Sequence, residues 1–386
     1  MEFLGYRRPD GRTGIRNRVL ILPASACASD AANQIAAAVP GAVSFHQQNG
    51  CTQIGDDLRC TMNVLAGFAA NPNVFGTVLV GLGCETCQVE LVEREIRRRT
   101  NKPLRSLTIQ ACGGVRAAVQ RGCAAAGELA AEAGRLARQP CALSDLIVAT
   151  ECGGSDATSG IAANVLIGAL SDCLVDGGGT VILSETTEFI GAERLLARRA
   201  RTEEVRRRIL EIVRRYESDL RSRGADVREG NPTPGNRAGG ITTLEEKSLG
   251  CIHKGGHRPI EAVYDYGEIV DKKGLVIMDT PGNDPASVAA MVAGGAQAVV
   301  FSTGRGTPMG NPIAPVIKLT GNPGTYASMR EDIDLTAEEL LTGTAPLSAL
   351  LDRLLDLLVR VAEGEETCAE RLGVSEIAVA RLCNFV

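Results

Sequence analysis

Short apolar runs alternate with longer amphipathic stretches along most of the chain, and that alternation predicts repeated strand–helix units. RVLILPA (18–24) precedes the helical pattern SDAANQIAAAV (29–39), and GAVSFHQ (41–47) precedes DDLRCTMNVLAGFAAN (56–71). TVLVGLG (77–83) leads into CQVELVEREIRRR (87–99), and LRSLTIQ (104–110) into the Ala-rich stretch 115–139. A second series starts near Ser144 with DLIVATE, then a helix from about Gly160, the strand TVILSE (180–185) and the helix EFIGAERLLARRA (188–200). β-Branched runs separated in this way by helices form parallel sheets covered on both faces.

The passage GNPTPGNRAGGITTLEEKSLGCIHKGG (230–256) is too long and too rich in particular polar residues for a plain connection, so a long Gly-rich functional loop is expected there. GLVIMDTPG (274–282) and AQAVVFSTGRG (296–306) read as further strands with polar ends. LSALLDRLLDLLVRVAEG (347–364) reads as an amphipathic helix ahead of a small helical tail. The expected fold class is α/β, with two doubly wound parallel-sheet domains. The first covers 1–140, and the second covers 141–386 with the 230–256 loop and the tail. Stretches 19–38 and 146–165 share a strand, a turn cysteine, Ser-Asp-Ala and a helix. Gene duplication and common strand–turn–helix grammar explain this equally well.

Composition changes this picture little. Hydrophobic residues at 44% and charged residues at 23% are ordinary for a soluble protein. The absence of Trp weighs against a stacking platform for single-stranded nucleic acid, and a net charge of −5 gives no global attraction to a polyanion. The local exception runs from Arg194 to Arg223, with eleven arginines against five acidic residues. Arg–Glu spacings of three and four residues there favour a solvated helix with internal ion pairs over a nucleic-acid surface. The N-terminus lacks an apolar leader, and no stretch reaches the roughly 20 apolar residues that span a bilayer. A cytoplasmic protein with neither nucleic-acid nor membrane partners is expected. Thirteen dispersed cysteines, an odd number, point to reduced thiols rather than a disulfide framework.

Those thiols fall repeatedly at predicted strand ends, where α/β proteins bind ligands. His46 and Cys51 follow the second strand, Cys84 and Cys87 the third, and Cys112 the fourth. Cys152 ends the first strand of the second series, and Cys251, His253 and Lys254 lie in the Gly-rich passage. A lone CxxC at 84–87 argues against a structural zinc ribbon and leaves redox exchange as a lesser alternative. Thiolate and imidazole ligands suit iron or zinc, while core packing explains any single cysteine as well. The turn ECGGSDATSG (151–160) lacks a phosphate-loop signature but presents a helix start to an anion, with Ser155 or Asp156 as cap or as cradle for a carboxylate. Arg305 and Lys318, in small-residue surroundings after a strand, are shaped to hold a carboxylate or to form loop salt bridges.

The stretches GYRRPDGRTGIRNRVLILPA, HQQNGC, GLGCE, ECGGSD, NPTPGNRAGGITTLEEKSLGC and FSTGRGTPMGNPIAPVIKLTGN resemble the altronate/galactarate dehydratase family, over essentially the whole chain. The resemblance implies a metal-dependent lyase that removes water from a sugar acid to give a 2-keto-3-deoxy acid. Release of sulfite and pyruvate from (2R)-sulfolactate is the alternative, and a catalytically inactive metal-binding or regulatory subunit is the non-enzyme one. Fe(II) is the implied cofactor, with an iron–sulfur cluster or another divalent metal as alternatives. Single-chain members carry a small domain ahead of the GYxRxDGRxG stretch, which here begins at Gly5. That implies a large subunit working with a separate small subunit, and a homo-oligomer is expected. Strand-end position and motif membership assign Cys51, Cys152 and Cys251 as metal ligands, with Cys84 in reserve. Arg305 and Lys318 are assigned to the substrate carboxylate, and His46 or Lys254 to proton transfer or further ligation.

Overall fold

The structure, a computed structural model, describes residues 2–381. It is a mixed α/β protein built on two parallel sheets. The smaller sheet has four strands in the order Ala42–Val43, Arg18–Pro23, Val74–Gly81, Leu104–Thr108. The larger has seven, in the order Ile260–Tyr264, Gly274–Met278, Thr180–Leu183, Ile147–Cys152, Ala298–Ser302, Val316–Thr320, Leu335–Thr336. The chain enters this sheet at Ile147–Cys152 and places later strands first on one side and then on the other. The crevice beyond Cys152 is therefore a topological switch point, where open parallel sheets bind ligands.

Both faces of the larger sheet are apolar because both are covered. Val148, Val181 and Ile277 point into a core shared with the helices Asn164–Asp176 and Leu347–Ala362. Ala149, Ile182 and Val276 point into a second core with the helices Asp284–Ala293 and Gly55–Ala70, the latter following the smaller sheet's strand-end loops. Ser159–Asp176 is long and apolar enough by composition to cross a bilayer, yet it is packed on the sheet through Ala163, Leu166, Ile167 and Leu170. The Arg-rich helix Glu203–Ser222 buries Val205, Ile209, Ile212 and Val213 and turns its arginines outward. They pair with acids at helical spacing, as in Arg206–Glu203 at 2.7 Å and Arg221–Glu217 at 3.1 Å.

Several elements differ from the periodicity reading. The passage 230–256 is not an irregular loop but carries the helices Pro234–Ala238 and Leu244–Ile252. Thr233 caps the first in a capping box with Asn236, Pro234 occupies its first turn, and Thr243 caps the second by accepting from the Glu246 N–H at 3.1 Å. The strand at 41–47 shortens to Ala42–Val43, so His46 stands on a loop. Val316–Thr320 is an interior strand despite a lysine at its centre. Glu2–Arg7 pairs antiparallel with Thr13–Gly14 and Gln139–Ala142 in a three-stranded sheet outside the strand–helix pattern.

The C-terminal segment is tied to the smaller sheet by one buried ion pair. Arg16 donates from Nη2 to Glu370 Oε2 at 2.7 Å and from Nε to Oε1 at 2.8 Å, with Arg18 adding a third bond. Burial opposes the Glu370 carboxylate, but the hydrogen bonds and charge of Arg16 outweigh it and hold its pKa below the ordinary value of 4.5. A depressed carboxylate contributes stability that is present above its ordinary pKa and lost as pH falls through the folded one. Glu370→Gln is expected to cost about 3–5 kcal/mol at neutral pH. The gap from wild type should close below pH ~4 in urea titrations, and a gap independent of pH would contradict this account.

Candidate active site

Four chain segments meet at the end of strand Ile147–Cys152. The strand places Cys152, the turn after Thr180–Leu183 places Glu185 and Glu188, and the helix Leu244–Ile252 places Cys251. Lys254 follows on the short turn His253–Gly255. Two close backbone approaches admit this last segment. A Cβ at Gly160 would lie 2.9 Å from the Gly250 Cα, and one at Gly168 would lie 2.2 Å from the His253 carbonyl oxygen. The first approach falls in a π-helical turn, Ser159–Ala163, at the start of the core helix.

Lys254 is fully buried between two sulfurs. Its Nζ lies 2.9 Å from Cys152 Sγ and 3.1 Å from Cys251 Sγ, and it forms an ion pair with Glu185. Around it the Cys152 sulfur stands 3.8 Å from Glu185 and 3.7 Å from Glu188, and the Cys251 sulfur 3.9 Å from Glu185. Lys247 binds Glu188 at 2.5 Å. Glu151 sits behind this group, its Oε2 accepting from Ser184 at 3.0 Å and Ser287 at 2.7 Å, while its Oε1 has no partner. Asp284, at the start of helix Asp284–Ala293, brings a partly exposed carboxylate beside Glu151 and Glu185.

The charges divide by environment. Burial would lower the Lys254 pKa, but Cys152, Cys251, Glu185 and Glu151 overcome it and the amine stays protonated. Burial, reinforced by Glu185, pushes Glu151 well above the usual carboxylate range, and burial with Cys152 pushes the Cys251 thiol up. Burial also raises the Glu185 carboxyl above its ordinary value, with the Lys254 ammonium opposing the shift. Burial, then Glu185 and Glu188, raises Asp284 to about 7.

Glu185 takes this position in the left-handed region, φ 71°. For a residue with a Cβ that costs of order 1–3 kcal/mol. Thr280 holds it there, its Oγ1 accepting from the Glu185 N–H at 2.8 Å and its carbonyl accepting from the Thr186 N–H at 2.9 Å.

The donor set fits a divalent metal. Bonds of about 2.3 Å to thiolate and about 2.0 Å to carboxylate give a tetrahedron with edges of about 3.5 Å. Three of the six separations among Cys152, Cys251, Glu185 and Glu188, at 3.7–3.9 Å, approach that, the others lie within 4.8 Å, and all four residues are buried, with the Lys254 ammonium between the two sulfurs. Among the described residues, Glu151, Glu185 and Asp284 form the other such grouping.

The remaining sequence-derived candidates are distributed as follows. Ser155 is buried beside the site with an unpartnered Oγ. Asp156 is used structurally, its Oδ1 accepting from the Thr158 N–H at 2.9 Å and the Ser159 N–H at 3.1 Å and its Oδ2 from the Asn322 amide at 2.8 Å. Arg305 is exposed, and its backbone N–H donates to the carbonyl of Gly154, two residues beyond Cys152, at 2.9 Å. Lys318 is buried with an unpartnered Nζ, in the field of Asp332 and Asp334 rather than of the thiols. His46, Cys51 and Cys84 stand at the strand ends of the smaller sheet, with His46 exposed and its Nε2 3.1 Å from Asn33. In the CxxC, burial and Glu85 push Cys87 up to about 12, the opposite of an activated redox thiol. Glu185, Glu188 and Asp284 were missed. Their signal was SETTE and MDTPGND, acidic residues just past apolar strands.

A parallel sheet with a buried thiol, carboxylate and lysine site at its switch point has the design of a small-molecule α/β enzyme. Residues 143–384 match the family profile described as D-galactarate/Altronate dehydratase, C-terminal, and residues 5–134 match D-galactarate dehydratase/Altronate hydrolase, second domain. The chain belongs to the galactarate/altronate dehydratase family and is a lyase. It is 38% identical to the (2R)-sulfolactate sulfo-lyase subunit beta of Chromohalobacter salexigens, over 98% of this chain and 97% of that protein. It is 34% identical to the altronate dehydratase of Bacillus subtilis, over 98% of this chain and 77% of the relative. Identity to the galactarate dehydratase (L-threo-forming) of Escherichia coli is 34%, over 82% and 62%.

Lys254→Met, in protein stripped of metal with a chelator, leaves Glu185 buried without its cation. It is expected to lose about 3–5 kcal/mol in urea unfolding, and an unchanged midpoint would show that the ammonium does not balance this cluster.

Proposed function

We propose that this chain is the large catalytic subunit of an iron-dependent hydro-lyase that removes water from a sugar acid such as altronate or galactarate. The observation that carries the reading is the convergence of Cys152, Cys251, Glu185 and Glu188 beside two lysines in the switch-point crevice. Those four residues would hold Fe(II), which when bound supplies Lewis-acid stabilisation of charge on oxygen. The chain's own groups do the rest. Arg305, exposed on the loop beside Gly154, takes the substrate carboxylate through paired hydrogen bonds. Asp284, on the open side, accepts the proton from C2, and the lysine ammoniums stabilise the negative charge that spreads onto the carboxylate. The same proton leaves with the C3 hydroxyl as water, and the enol left behind tautomerises to the 2-keto-3-deoxy acid.

Sulfolactate cleavage is the second reading, favoured by the 38% identity to a sulfo-lyase subunit along nearly its full length. That relative is named as one subunit, which supports a separate small subunit for this chain as well. Reduced thiols at the site suit a cytoplasmic setting.

The test is turnover after anaerobic purification with ferrous iron, with altronate, galactarate and sulfolactate as substrates. Cys152→Ser is expected to lose bound iron and at least about 100-fold in kcat/KM. Asp284→Asn should keep the iron and lose about 100- to 10,000-fold in kcat. Iron retained in Cys152→Ser, or full activity in Asp284→Asn, would remove the corresponding assignment.

A further inference from the structure

A cavity of about 190 Å³ opens where two parallel strands of the smaller sheet begin. Arg18 is the first residue of strand Arg18–Pro23, and Gly41 directly precedes its neighbour Ala42–Val43. Tyr6, Arg16 and Arg138 also line the cavity, as do Gly364 and Glu366 just past helix Leu347–Ala362. Arg138 is pressed against that last segment, since a Cβ at Gly364 would lie 2.8 Å from its Nη2. The Cys152 cluster, by contrast, stands at the end of a strand of the larger sheet.

The arginines around this cavity outnumber their acidic partners. Glu370 serves both Arg16 and Arg18, and the Arg18 Nε has no partner. Arg16 uses its remaining donors on the carbonyls of Ile15, Val361 and Glu365. Arg138 donates to carbonyls alone, those of Leu4 at 2.8 Å, Ala362 at 2.7 Å and Ile15 at 3.1 Å. Arg8 stands directly behind, donating to the Pro72 and Arg16 carbonyls at 2.6 and 2.9 Å and to Asn17 Oδ1 at 2.8 Å. A carbonyl satisfies an N–H group but brings no net charge. Burial pushes Arg8 down to about 10, and it lowers Arg138, a shift that Tyr6 opposes and Arg16 reinforces. Besides Glu370 the nearby acids are Glu363, which accepts from the Leu4 N–H at 3.1 Å, and Glu366; both are exposed and screened by water. Four guanidiniums thus surround one buried carboxylate.

Positive charge lining a concave site attracts anions, and guanidiniums present their N–H forks to phosphate and carboxylate oxygens. A phosphate group carries a charge of about −1.5 to −2 at neutral pH, so it answers more of this excess than a single carboxylate can. The volume suits a small oxyanion with few carbons attached. A nucleoside is disfavoured, because Tyr6 is the one aromatic ring in the lining and the Arg138 guanidinium already lies over it, 4.6 Å from its centre. Arg18 and Gly364 belong to the two parts of the chain that the Arg16–Glu370 pair joins, so an anion between them adds a second tie.

We propose that this cavity is a phosphate-binding site, taking inorganic phosphate or the phosphate group of a small monoester, with Arg18 as donor and Arg16 and Arg138 as its cationic surround. Binding to the intact chain is measured by calorimetry with inorganic phosphate and with glycerol 3-phosphate. Urea midpoints are compared in phosphate and in chloride at equal ionic strength. Gly41→Asp and Gly41→Asn form a matched pair that differs in charge. Gly41 has φ 79° with nothing within 4 Å of a Cβ, and both side chains tolerate that left-handed backbone. Arg18→Gln is the third variant, and in it Arg16 still holds Glu370 by two bonds. Phosphate is expected to raise the urea midpoint where chloride does not. Gly41→Asp and Arg18→Gln are each expected to weaken phosphate at least about 10-fold, and Gly41→Asn no more than about 3-fold. Equal midpoints in phosphate and chloride, or equal phosphate affinity in the Asp and Asn variants, overturns the site. A monoester that binds as tightly as phosphate supports a phosphorylated metabolite as the ligand, and binding of inorganic phosphate alone supports the free anion. If neither binds, the proposal falls.

Discussion

A lysine ammonium with no access to water must be answered by negative groups within a few ångströms, and Lys254 sets that requirement for the whole C-terminal half. No single segment supplies the answer. Cys152 comes from a strand end, Glu185 from a turn and Cys251 from a helix, so the cluster exists only where the switch point of the seven-stranded sheet brings the three together. The glycine contacts at Gly160 and Gly168 are consequences of the same demand, since a side chain at either position would push the Cys251–Lys254 segment out. So is the left-handed Glu185, because leaving the ammonium unpaired costs more than one strained residue.

The strand–helix architecture was legible because both main sheets are parallel and buried, which forces short β-branched runs between amphipathic helices. Cys152 was legible for a related reason, as a cysteine at the end of an apolar strand, while Cys251 was singled out as part of the Gly-rich passage taken for a loop. Glu185, Glu188 and Asp284 were not. An acid just past a strand is the ordinary composition of a solvated turn, and only tertiary packing shows that these three are brought together. The same limit explains passage 230–256. Its glycines suggested a loop, whereas Thr233–Asn236 and Thr243–Glu246 carried capping signals that local rules already contained. Lys318 reads as a loop cation, yet its strand lies inside a sheet whose register, Phe301 opposite Lys318, comes from long-range pairing.

The Cys152 cluster concentrates two thiols, two carboxylates and two lysines at one strand end, and strong fields of that kind stabilise charge as it develops in a reaction. Groups held rigidly in a site closed to water act more strongly than the same groups would in solution, because nothing has to reorganise when the charge appears. The rigidity comes from the sheet: Cys152 is fixed by its strand, Glu185 by the Thr280 hydrogen bonds, and Cys251 and Lys254 by the glycine contacts at Gly160 and Gly168.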